Sequence, residues 1–227
     1  MKLVKDNIKA LMSADTKKFL NAGEVTVLHD DILKVKFFDP HYCTSLVEVA
    51  EALPFWTEGR VEKGESASVN PAIKLCHELV LYDIHPMVWN THADYLHQHL
   101  KKILDNHYVT ADFASELTNY CSGRTRICRL NTGDFSNAHY FANYYGFSYP
   151  ETIISMLTQL NDKDDFEGGA LYFPRQQLEV TLSVGEVLVF PSTYTHPVAY
   201  QKVTEGTRYL LESHIGRFPF PSQQMQG

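Results

Sequence analysis

From about residue 124 the chain breaks into short apolar runs separated by turn residues, and this punctuation restricts the fold more than any other feature. The runs are RTRICRL, TIISMLTQL, GALYFP, LEVTLS, EVLVFPS, HPVAYQKV and RYLLESHI. Between them stand Thr132-Gly133-Asp134, Asn161-Asp162, Gly168-Gly169, Val184-Gly185-Glu186 and Glu205-Gly206. Many short β-prone runs at near-regular spacing specify an antiparallel sandwich or barrel.

The first half has a different texture. Residues 1–22 read as a helical lead-in, and EVTVLHDDILKVKFF reads as strands. Asp39-Pro40 then supplies an N-cap and a first-turn proline, with Leu46, Val47, Val49 and Ala50 on one helix face. Residues 55–72 show no periodicity and read as a surface loop, and 73–106 as helix broken near Pro86. His85, His92, His97 and His99 fall on the outward face of that helix, with Tyr95, Leu96, Leu100 and Ile103 inward. The expected whole is a single α+β domain over 1–227: mainly helical support over about 1–123, then a jelly-roll core over about 124–220.

Composition excludes several function classes. A formal net charge of −7 without a basic run argues against nucleic-acid binding, which rewards clustered Lys and Arg. No apolar run approaches the roughly 20 residues that span a bilayer, and the lysine-dotted N-terminus resembles neither signal nor anchor. A cytoplasmic protein acting on a small molecule or peptide, with no nucleic acid and no membrane, is the expectation; the oligomeric state is left open. Cys43, Cys76, Cys121 and Cys128 contain no Cys-x-x-Cys pair and read as reduced, mostly buried thiols, with a Cys121–Cys128 bridge as the alternative.

A jelly-roll gathers side chains from distant strands at one mouth. His139 and His196 are the candidate metal ligands, and Arg208 follows His196 by twelve positions. Two imidazoles suit iron, zinc or copper, and a carboxylate beside them favours ferrous iron. An arginine on an apolar strand offers a planar fork for a carboxylate.

The segments around these residues resemble the iron(II)- and 2-oxoglutarate-dependent oxygenases, the prolyl 4-hydroxylase-like branch in particular. They are Leu160-Asn161-Asp162, Phe166-Glu167-Gly168-Gly169, Phe173-Pro174, Gly185, Phe190-Pro191-Ser192, His196, Val203 and Gly206-Thr207-Arg208-Tyr209. The likeness covers most of the chain and is most specific from Gly133 to Phe220, with His214 where a tryptophan is common. It implies a double-stranded β-helix (jelly-roll) core with N-terminal supporting helices. It also implies Fe(II) held by His139 and His196, and 2-oxoglutarate anchored by Arg208 with the Gln159 amide beside it. Ser155 shares the strand face of Gln159. The activity implied is hydroxylation of an unactivated C–H bond in a peptide or small molecule.

One position departs from the pattern. Where the family carries His-x-Asp, this chain has His139-Tyr140-Phe141, and phenylalanine cannot bind a metal. Three readings follow. The site works with two histidines, its third place filled by water or by Asn143, Asp134 or Glu151. It is a carboxylate-free, halogenase-like site, with a bulge bringing Ala142 into the gap. Or the domain has lost catalysis and become a binding module. The aromatic cluster Tyr140, Tyr144, Tyr145, Phe147 and Tyr149 is either core packing or a wall of the substrate pocket.

Overall fold

The computed structural model describes residues 23–63, 66–81, 120–122, 125–141 and 151–217. The lead-in over 1–22, the four histidines from 85 to 99 and the tyrosines from 144 to 149 lie outside them. In chain order the described elements are β1 (Val25–His29), β2 (Ile32–Lys36), α1 (Pro40–Glu51), β3 (Thr57–Glu58), β4 (Arg60–Lys63), β5 (Ser66–Val69), β6 (Lys74–Leu75), β7 (His77–Val80) and β8 (Tyr120–Ser122). There follow β9 (Arg126–Asn131), β10 (Phe135–His139), β11 (Glu151–Gln159), β12 (Phe166–Gly168), β13 (Leu171–Phe173), β14 (Leu178–Val180), β15 (Glu186–Pro191), β16 (Val198–Tyr200) and β17 (Val203–Arg217).

Two antiparallel sheets face each other. The larger runs β1-β2-β15-β11-β17-β9-β7-β3, with β8 and β12 also pairing along β17. The smaller runs β14-β13-β16-β10-β6. Helix α1 packs on the outer face of the large sheet. Asp39 caps it, accepting from the His41 amide at 2.8 Å, and Pro40 opens it. Its buried face is Tyr42, Cys43, Leu46, Val49 and Ala50; these join Leu33, Val35, Ile154, Met156, Val187, Val189 and Leu211 in one core. The alternate residues Ile32, Leu157, Leu188, Phe190 and Leu210 point the other way. They meet Leu171, Phe173, Val198 and Tyr200 of the small sheet in a second core. Covering both faces of the large sheet explains why EVLVFP has no polar alternation.

The jelly-roll expectation holds, and all seven apolar runs after residue 124 fall on strands. Two readings of the first half are corrected. Residues 73–81 are not helix but β6 and β7, and 55–72 holds β3 and the β4–β5 hairpin. The reason lies in what faces inward. Lys74, Cys76 and Glu78 alternate onto the buried face, and Lys74 and Glu78 form an ion pair there. A strand that buries charges shows no hydrophobic alternation. Over its described residues the stretch expected to be mainly helical holds one helix and β1–β8.

Helix and sheet are joined at one close approach. The Phe37 and Phe38 amides donate to the Gly185 carbonyl at 3.2 and 3.0 Å. Gly185 has φ +80°, and a Cβ there would stand 2.1 Å from the Phe38 carbonyl oxygen. Gly185→Ala is therefore expected to lower stability by about 2 kcal/mol or more, read as a fall in the urea midpoint at unchanged slope.

Candidate functional site

The inner face of β17 sets the site. Alternation turns Arg208, Leu210, Glu212 and His214 into the space between the sheets. Each polar member has its own partners there.

Arg208 is almost wholly buried. Its Nε donates to Gln159 Oε1 at 2.9 Å and its Nη1 to the Gly169 carbonyl. The Gln159 amide nitrogen is engaged in turn by Asn161, at 3.1 Å to the carbonyl and 2.9 Å to Oδ1. Gln159 thus braces Arg208 and holds the guanidinium in place. Gly169 sits at φ +68°, with Arg208 Cδ 3.3 Å from where a Cβ would stand, so the arginine stem runs over bare backbone. Burial lowers the Arg208 pKa to about 10, which leaves it charged at neutral pH. Among the described residues no carboxylate forms an ion pair with it. Glu212, on the same face of β17, pairs with Arg126. A buried cation held only by neutral oxygens is a receptor for an anion.

His139 ends β10. Its Nδ1 lies 3.0 Å from the Asn137 carbonyl, a contact that places the proton on Nδ1 and leaves a lone pair on Nε2. That Nε2 is shielded from solvent and has no hydrogen-bond partner. Burial, with Lys74 nearby, lowers the His139 pKa to about 4, so the ring is neutral. An oriented neutral imidazole with a bare buried Nε2 suits a metal ion.

His196 stands in the loop between β15 and β16. Its Nδ1 lies 2.9 Å from Thr195 Oγ1, a contact that fixes the ring on its Nδ1 side. Strands β10 and β16 pair with His139 opposite Val198, two residues beyond His196. The two histidines therefore share one end of the small sheet. Burial also lowers the His196 pKa, against the opposing pull of Asp31.

Phe141 is buried beside His139. Its ring centroid lies 4.8 Å from that of His139, 4.7 Å from that of His214 and 6.2 Å from that of Phe190. It fills the volume next to His139 with hydrocarbon. Of the proposed substitutes for the lost carboxylate, Asp134 is committed to its own turn, accepting from the Asn131 amide at 2.9 Å. Asn143, Ala142 and the side chain of Glu151 fall outside the described residues.

The sequence did not announce three features. Ser155 Oγ meets Ser192 Oγ at 2.7 Å and His214 Nδ1 at 3.1 Å, so His214 is a satisfied buried imidazole. Glu212 accepts from Tyr200 at 2.7 Å, from the Cys128 thiol at 3.1 Å and from Arg126, which also reaches Glu78. Lys74, Arg126, Glu78 and Glu212 thus make a charge-balanced interior network. Cys76, Glu78 and Cys128 gather ligand atoms within 4.8 Å of one another, but the two cations already hold Glu78. Cys128 is a free thiol, which removes the Cys121–Cys128 bridge. The third feature is Asp31 in the β1–β2 turn, with Oδ2 3.9 Å from His196 Nε2.

No family model and no curated protein matches the chain. Solved structures do. The architecture is the double-stranded β-helix of the iron(II)- and 2-oxoglutarate-dependent oxygenases, in the form taken by prolyl 4-hydroxylases. The viral collagen prolyl hydroxylase of Paramecium bursaria Chlorella virus-1, solved with 2-oxoglutarate, superimposes with TM-score 0.58 at 14% identity, over 81% of this chain and 94% of its own. A Pseudomonas putida prolyl-4-hydroxylase gives 0.58 at 10% identity over 94% and 98%. A Trichoplax adhaerens prolyl hydroxylase, in complex with a hypoxia inducible factor peptide fragment, gives 0.56 at 13% over 95% and 90%.

The buried His214 has a consequence for acid stability. Burial lowers its pKa from 6.5 to about 3 in the fold. Between those values the unfolded chain takes up a proton that the folded chain does not, so stability falls as pH drops from about 6.5 towards 3. His214→Asn should make the stability–pH curve shallower in that window by up to about 1.4 kcal/mol per pH unit. Denaturant unfolding at stepped pH checks this; an unchanged slope would mean that the imidazole is charged in the fold.

Proposed function

We propose that this chain is an iron(II)- and 2-oxoglutarate-dependent oxygenase that hydroxylates an unactivated C–H bond. The observation that carries the reading is Arg208, a buried guanidinium with only neutral hydrogen-bond partners among the described residues, facing a small sheet that carries His139 and is entered just after His196. The donor set fits the metal in part. His139 Nε2 and His196 Nε2 would hold the iron, and the carboxylate of the usual triad has no counterpart at 141. Iron(II) and 2-oxoglutarate, when bound, supply the oxidising chemistry towards dioxygen and the substrate.

The chain's own residues do the rest. Arg208 would pair with the far carboxylate of the 2-oxo acid, its fork aimed by Gln159 and lying over Gly169. The Asn137 carbonyl and Thr195 hydroxyl fix the two imidazole rings, so that each presents Nε2. Phe141 and Tyr200, whose ring centroid is 5.6 Å from that of His139, exclude water from one side of His139. The likeness to hydroxylases of collagen and of a hypoxia-factor fragment points to a prolyl residue in a peptide as the substrate class, with a free small molecule as the other possibility.

Phe141 favours one second reading, a binding module of the same fold, because a buried ring stands where a metal ligand would. The halogenase-like reading is weakened by the same ring, which fills the volume a halide would take.

The deciding experiment is anaerobic binding of iron(II) and 2-oxoglutarate, followed by succinate release in air. Arg208→Ala should weaken 2-oxoglutarate binding by about 30-fold or more, the cost of removing one member of a buried charge pair. Phe141→Asp should raise iron(II) affinity at least about tenfold by restoring the carboxylate. Retention of 2-oxoglutarate without iron(II), in wild type and Phe141→Asp alike, would establish the binding module instead.

A further inference from the structure

Tyr200 lies on β16, the middle strand of the small sheet, between β13 and β10. It stands opposite Leu171 on one side and Ser136 on the other, and it is almost wholly buried. For packing alone a phenylalanine would serve as well, so the hydroxyl is the informative part. A buried hydroxyl costs free energy unless it is bonded. This one crosses the interior and donates to Glu212 Oε1 of β17 at 2.7 Å. Glu212 is itself wholly buried and held by Arg126 and the Cys128 thiol. Burial works to raise its pKa, but the charges of Arg126 and Lys74 outweigh that and keep it ionised. A hydrogen bond to an ionised carboxylate is shorter and stronger than one between neutral groups. The Tyr200 ring is therefore pinned at its far end.

The same ring meets His139. Their centroids are 5.6 Å apart with the planes at 70°. Phe141 meets His139 in the same manner, at 4.8 Å and 75°. At Nδ1 the imidazole faces the Asn137 carbonyl at 3.0 Å and the Ser136 hydroxyl at 3.3 Å. Asn137 and Ser136 belong to the strand of His139 itself, and the Phe141 side chain has no polar group. Of these four, only Tyr200 ties His139 to the large sheet by a side-chain hydrogen bond.

We infer that Tyr200 is a positioning residue of the proposed site: its hydroxyl, fixed on Glu212, holds the ring that sets how His139 Nε2 is aimed. The inference rests on the oxygenase reading for what that aim serves. It also gives the interior network of Lys74, Glu78, Arg126 and Glu212 a task, as the anchor behind a ligand imidazole. Removing a group that orients a metal-bound histidine costs about 10- to 100-fold in metal affinity, and a ring contact belongs at the lower end.

The test uses the full chain with 15N-labelled histidine, first free of metal and then titrated with cobalt(II) without oxygen. The His139 ring-nitrogen signals are assigned by their loss in His139→Gln. Tyr200→Phe keeps the ring and removes the tether; it should shift or broaden those signals and weaken cobalt(II) binding about tenfold. Tyr200→Leu removes the ring as well and should do both more strongly. Tyr209→Phe is the control, because its hydroxyl makes the same kind of bond, to Glu51 at 3.0 Å, on the exposed side of the large sheet. It should leave the signals and the affinity unchanged. His139 signals that stay in place in Tyr200→Phe and Tyr200→Leu would overturn the inference, and so would an unchanged cobalt(II) affinity in both. Wild-type chain that binds no cobalt(II) would overturn the oxygenase reading instead, and the metal-free signals would then decide the role of Tyr200. Thermal unfolding identifies a variant that fails to fold; if Tyr200→Leu does so, the volume-conserving Tyr200→Phe decides alone.

Discussion

Every inward side chain of β17 has to be satisfied inside the molecule, because the large sheet is covered on both faces. Helix α1 seals the outer face and the small sheet seals the inner one. A polar group turned inward has no water to fall back on. Arg208, Glu212 and His214 are all inward, and each has been given its own company: an amide and a carbonyl, an ion-pair network, and a pair of serines. Of the two charged members, Glu212 has ion-pair partners, while the company of Arg208 is neutral among the described residues. The constraint that organises the interior thus also leaves one buried cation without a carboxylate partner among the described residues.

Phe141 acts on the same interior from the opposite side. Its ring packs between those of His139, His214 and Phe190. The aromatic contact holds His139 in place without contributing a donor. His214 is part of this arrangement. Its Nδ1 is held by Ser155 and its ring lies against Phe141, so the residue that differs from the usual tryptophan and the residue that differs from the usual aspartate touch each other. The two departures form one packing unit.

The sequence was most legible where strands bury hydrocarbon. TIISMLTQL, EVLVFPS and RYLLESHI lie on β11, β15 and β17, and the Asp39-Pro40 start of α1 stands where the capping pattern placed it. The histidines, Arg208 and Phe141 were visible because the turn and glycine motifs around them are specific. Strands β6 and β7 were illegible for a physical reason: they turn Lys74 and Glu78 inward, and buried ion pairs erase the hydrophobic alternation on which strand reading depends. That Gln159 bonds to Arg208 was not legible, since sequence cannot say which neighbour an amide turns towards. The proximity of Asp31 to His196 was also invisible, because it comes from the pairing of β2 with β15, a contact between distant parts of the chain.

That same pairing bears on how the protein is made. Strands β1 and β2 and helix α1 come early in the chain, yet their neighbours are β15 and the Gly185 turn, near its other end. Contacts of such sequence separation close slowly, because loop entropy must be overcome before any burial repays it. During synthesis the N-terminal hairpin and the apolar face of α1 would wait, uncovered, until β15 leaves the ribosome. The charges along the β1–β2 pair, the partly exposed Lys34 and the exposed Lys36, with Glu24 just before β1, would keep that waiting edge from pairing with the wrong strand.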